Sequence, residues 1–107
     1  MLDYSEKIRQ MVKDYLDKRR DSIPDKNNAG CIFKNTPRRS AGQIIDDLGL
    51  KGFVIGGAMV SHKHANIIVN QENAEASDVM NLINYIKKEV YNRTGIVLEL
   101  EIEYWGN

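Results

Sequence analysis

The stretch Gly52–Asn70, GFVIGGAMVSHKHANIIVN, decides how the rest of the chain is read. Its first half mixes strand formers with three glycines, Gly52, Gly56 and Gly57. That pattern predicts two short strands about a glycine bend. NIIVN, Asn66–Asn70, predicts a further strand, and SHKHAN before it reads as a turn or a strand end. Working upstream, Ser40 is placed to cap a short helix whose buried side holds Ala41, Ile44, Ile45 and Leu48. Gly49 follows where a left-handed stop belongs. TPRR, Thr36–Arg39, is a polar loop, and CIFK, Cys31–Lys34, reads as a short strand. Residues 21–30 are rich in turn formers, and Pro24 stops any helix. Residues 3–20 carry a helical face of Ile8, Met11, Val12, Tyr15 and Leu16, and Asp3 with Glu6 gives a start signal of the capping-box kind.

Downstream, residues 75–92 form the clearest helix, with Val79, Leu82, Ile83, Ile86 and Val90 on one side and Gly95 at its end. IVLELEIEY, Ile96–Tyr104, then alternates strictly. Leu98, Leu100 and Ile102 face one way, and Glu99, Glu101 and Glu103 face the other. Helices and strands mix, and the longest helix leads into the last strand. The reading is an α+β fold: one domain over residues 1–107, a mixed β-sheet with flanking helices.

A chain of 107 residues, 42% of them hydrophobic, can bury one core without staples. Fifteen basic residues balance fifteen acidic ones, so charge gives no case for a nucleic acid or a membrane as partner. No apolar run is long enough to span a bilayer, and the N-terminus lacks the apolar core of a signal peptide. The single cysteine excludes an intrachain disulfide and fits a reducing, cytoplasmic setting. In that setting the Asn92–Arg93–Thr94 sequon is a chance match.

Four features bear on chemistry. Cys31 reads either as a small buried hydrophobe or as a thiol that acts as nucleophile or proton donor. His62 and His64 could join it as zinc ligands, but no fourth ligand and no CxxC or HExxH spacing accompanies them. The competing reading gives both histidines local hydrogen bonds. GFVIGG matches neither phosphate-loop pattern, although amides freed by its paired glycines can hold an anion. The three glutamates of the last strand form either a solvated face or the wall of a cleft, where repulsion and burial raise a carboxyl pKa.

Taken in order, AGCIFKN (Ala29–Asn35), the run from Ser40 to Asn70, AEASDVMNLI (Ala74–Ile83) and GIVLELEIEYWG (Gly95–Gly106) resemble one family. It is the UDP-N-acetylenolpyruvoylglucosamine reductase (MurB) family of peptidoglycan synthesis, in its C-terminal domain. KRRDSIP, Lys18–Pro24, fits the lead-in, and the likeness runs from about Ile8 to Gly106. What it implies is a two-step reduction. A flavin reduced by NADPH passes hydride to the enolpyruvyl C3 of the substrate, and C2 then needs a proton.

In that family a Ser or Cys in the AG-x-x-F-K-N stretch donates the proton, and the matching position is Cys31. A thiol is a better acid than a hydroxyl and is still mostly protonated at neutral pH. The family's second acid matches Glu101, which would stabilise charge at the substrate carboxylate. Asn35 and Lys34 match substrate-contacting positions; Ser61, His64 and Asn66 also match the family text. The chain departs from the pattern at Thr36, where Pro is usual, and at Arg38, where glycine is common. The resemblance places FAD in domains that precede this one. The 107 residues are therefore expected to be a piece of a longer enzyme, with no FAD or NADPH bound and no turnover alone. The alternative is a non-catalytic ligand-binding or interaction domain that shares the fold.

Overall fold

The computed structural model describes residues 6, 9–14 and 31–101. The start signal at Asp3, the turn-rich segment 21–30 and the end of the last strand from Ile102 lie outside the described residues.

The hairpin read from Gly52–Val60 forms as expected. Strands β1 (Val54–Ile55) and β2 (Ala58–Val60) pair antiparallel with Val54 opposite Met59 and Ile55 opposite Ala58. Gly56 has φ +58° and Gly57 lies outside the positive region, the pattern of a II′ turn whose twist suits a hairpin. Strand β3 (Ile68–Asn70) adds to β2 with Met59 opposite Val69. All three described strands are antiparallel, in the order β1-β2-β3, because short connections reverse the chain each time. The sheet is thus simpler than the mixed one read from sequence.

Helix α1, helical over residues 9–14, brings Val12 fully into the core. Helix α2 (Ala41–Asp47) begins where Ser40 Oγ accepts from Gln43 N at 3.1 Å. Its buried side is Ala41, Ile44 and Ile45, and Gly49 follows at φ +75°. Helix α3 (Ala76–Thr94) buries Val79, Leu82, Ile83, Ile86 and Val90, the face given by the sequence period, and Gly95 closes it in the left-handed region. These faces meet Ala58, Val60 and Ile68 of the sheet in one hydrophobic cluster. At its edge Phe53 and Tyr85 stack with ring centroids 4.5 Å apart.

Two segments differ from expectation. CIFK and the described part of IVLELEIEY do not form regular strands. They meet at a single antiparallel bridge, Phe33 to Leu100, flanked by Lys34 N–H donating to Glu99 O and Glu101 N–H donating to Ile32 O, both at 2.8 Å. The alternation of burial survives without the strand: Leu98 is buried and Glu99 exposed.

The hairpin and α3 are joined by Asp78. Its Oδ2 accepts from Glu75 N at 3.0 Å, as a capping residue does, and from Gly57 N at 3.2 Å. Gly57 itself has no room for a side chain, because an added methyl would meet backbone atoms of Glu72 and Ala74. Gly57→Ala is therefore expected to lower unfolding free energy by about 2 kcal/mol or more, since backbone cannot yield as a flexible side chain would. Urea denaturation followed by circular dichroism measures it; an unchanged midpoint would contradict the packing described.

Candidate functional site

A cleft of about 340 Å³ opens between the segment beginning at Cys31, the first turns of α2 and the connection from β2 to β3. Its walls mix polar and apolar groups. Cys31 and Asn35 come from one side, Asp46 and Lys51 from α2 and the loop after it, and Lys63 and His64 from the β2–β3 connection. Lys51 Nζ lies 3.5 Å from Asp46 Oδ2, so one cation of the cleft carries its own counterion.

Each wall is fixed by an identifiable bond. Asn66, 7% exposed, turns its side-chain amide to Phe33 like a piece of strand. Its Oδ1 accepts from Phe33 N at 3.0 Å and its Nδ2 donates to Phe33 O at 2.8 Å. The Asn66 carbonyl also accepts from Ile32 N at 2.9 Å. Three bonds from one residue thus hold the segment that carries Cys31. Asn35 Oδ1 accepts from Ala41 N at 2.9 Å, satisfying an amide at the start of α2. The next loop is locked by Thr36, whose N–H donates to Arg39 O at 2.9 Å and whose Oγ1 accepts from Arg39 N at 3.0 Å. Proline, usual in the resembling family at this position, could make neither bond. The loop after Asn35 is therefore built on a threonine turn.

Of the residues singled out from sequence, the structure puts Cys31 and Asn35 on the cleft wall, with the Cys31 side half-buried. Lys34 and Glu101 do not line it. Glu101 is half-buried beside the Phe33–Leu100 bridge, tied through its N–H to the residue next to Cys31. Glu99 is exposed, as the solvated reading of that face has it. The two histidines separate: His64 lines the cleft, and the His62 ring lies against Gly52, whose φ is +83°. Among the described residues no three His, Cys, Asp or Glu side chains group to hold a metal. The glycine turn does hold an anion by an amide, but the anion is the chain's own Asp78.

Lys51 and Asp46 were missed from sequence. Lys51 follows the α2 stop as an ordinary exposed lysine would, and nothing in its spacing points to a cleft. Asn66 carried a signal, a polar residue directly before the apolar run Ile67–Val69, without its meaning being legible.

A family model described as UDP-N-acetylenolpyruvoylglucosamine reductase, C-terminal domain, matches residues 22–105. The chain is 47% identical over 100 residues to the UDP-N-acetylenolpyruvoylglucosamine reductase of Moorella thermoacetica, covering 92% of this chain and 33% of that protein. Its likeness to the enzyme of the same name from Thermotoga petrophila is 45% over 105 residues, 95% of this chain and 37% of the relative. Among solved structures, the reductase from Thermus caldophilus superposes with a TM-score of 0.61 at 45% identity, over 79% of this chain and 30% of that one. The chain spans about a third of the length of the curated relatives it matches.

The Asn66 amide gives a direct test of how the Cys31 wall is held. Asn66→Ala leaves a buried N–H and a buried C=O without partners and is expected to cost about 2–4 kcal/mol. The Cys31 thiol should also react faster with a thiol reagent under native conditions. Denaturation curves and the rate of thiol labelling check both. Wild-type values for stability and labelling would show that the amide does not hold the segment.

Proposed function

The chain belongs to the UDP-N-acetylenolpyruvoylglucosamine reductase family as its C-terminal domain, and from that premise we propose that it forms the substrate-facing part of the reductase that makes UDP-N-acetylmuramate for peptidoglycan. The observation that carries the reading is the placing of Cys31. The thiol assigned from resemblance as the proton donor stands on the wall of a cleft of about 340 Å³. FAD, reduced by NADPH and held in the remainder of the enzyme, supplies the hydride.

The residues of this chain have the other half of the reaction. As hydride adds to C3 of the enolpyruvyl group, electron density moves to C2. The S–H bond of Cys31 breaks, its proton goes to C2, and the resulting thiolate regains a proton from solvent. Glu101 has the second role that the resemblance gives it, at the negative charge growing on the substrate carboxylate. The Asn35 NH₂ orients the substrate from the cleft side. Lys34, matched by resemblance to a substrate-contacting position, lies on the same short segment. The setting we assign is the cytoplasm, where the nucleotide-sugar substrate is available. No helix among the described residues is long and apolar enough to cross a membrane.

Rapid kinetics on a full-length enzyme carrying this domain separates the two half-reactions. With Cys31→Ala, NADPH should bleach the flavin at the normal rate, and reoxidation by substrate should slow by about 10²–10⁴-fold. Cys31→Ser should keep much of the activity, because a hydroxyl can occupy the same geometry. Normal reoxidation in Cys31→Ala would remove the acid role and favour the non-catalytic ligand-binding alternative.

A further inference from the structure

Among the cleft's side chains, Lys63 and His64 come from the connection between β2 and β3, and one buried atom sets its shape. Ser61 has no exposed surface. Its Oγ accepts from Lys63 N at 3.0 Å and from His64 N at 3.1 Å. The rest of the connection closes around these bonds. Ser61 N donates to Ile67 O at 2.8 Å, and Ile67 N donates to His64 O at 3.0 Å. A hydroxyl that accepts from the second and third amides after it turns the chain sharply. Here the turn directs Lys63 and His64 to the cleft wall, where both are lining residues. Serine meets the need narrowly. Alanine has the size without the acceptor, and cysteine has the bulk with only a weak one.

We propose that Ser61 is a positioning residue for ligand binding: its buried oxygen fixes the turn that presents Lys63 and His64 to the diphosphate of the nucleotide-sugar. The proposal rests on the reading of the cleft as the substrate site, and adds to it which group confers preference for phosphate. Ser61 touches no ligand. Its effect passes through two backbone amides to two side chains, so losing it should weaken recognition of the phosphates and spare recognition of the nucleoside.

The test is titration of the 107-residue chain with UDP and with uridine, followed by amide NMR. Wild type should bind UDP more tightly than uridine. Ser61→Ala should lose about tenfold in UDP affinity with uridine affinity unchanged, the amount expected for one displaced charge-assisted contact. The amide protons of Lys63 and His64 should exchange faster in the same variant. Ser61→Cys, which keeps the buried volume, should behave alike. Replacing Lys63 and His64 together by Ala should produce the same loss without touching the core. A wild-type UDP-to-uridine ratio in a folded Ser61 variant overturns the proposal, as does full UDP affinity in the Lys63/His64 double variant. If wild type itself prefers UDP no more than uridine, the substrate reading of the cleft falls first and takes this inference with it.

Discussion

Buried backbone must be hydrogen-bonded, and the segment from Cys31 to Lys34 has to meet that demand with a sheet that does not reach it. Phe33 is buried, and among the described residues no strand pairs with it on the side that Asn66 occupies. Asn66 resolves the conflict, because a primary amide is a side chain that can donate and accept in the manner of a peptide group. The opposite side of the segment is completed by Glu99 and Glu101 through the chain's C-terminal stretch. The position of the thiol, the course of the last segment and one wall of the cleft all follow from that amide.

Polar groups inside the fold repeat the same logic elsewhere. Ser61 and Asp78 each accept two backbone N–H bonds, and each ends or turns an element beside the sheet. Asp78 caps α3 and steadies the glycine turn of the hairpin at once, so the helix and the strands are aligned by a carboxylate as well as by apolar packing. The loop after Asn35 uses Thr36 in a comparable way. The apolar cluster makes the molecule compact, and these few side chains decide its local directions.

The apolar architecture was legible in the sequence. The buried face of α3, the cap at Ser40, the stop at Gly49 and the hairpin about Gly56 and Gly57 follow from period and turn chemistry, which are local rules. The segments around Phe33 and Leu100 were read as strands because alternation of burial was visible and the number of backbone partners was not. Alternation needs only one buried side, whereas a ladder needs continuous pairing. The site was legible unevenly for the same reason. Cys31 and Asn35 were marked by resemblance and lie on the cleft. Lys51 joins it only through the path of the chain after α2, which no local pattern contains. Glu101 depends on how far a ligand extends beyond the cleft, a matter for the bound molecule.

A segment completed on one side by a side chain has a further property. Exposed strand edges offer rows of unpaired amides to other chains, and proteins commonly suppress such contacts with charge, proline or short length. At Phe33 the edge is closed chemically, because its donor and acceptor are already engaged by Asn66. The chain thereby carries a nearly apolar tract, Cys31–Phe33, without presenting Phe33 as a template for edge-to-edge association. The amide that orders the cleft is in this sense also a guard against aggregation.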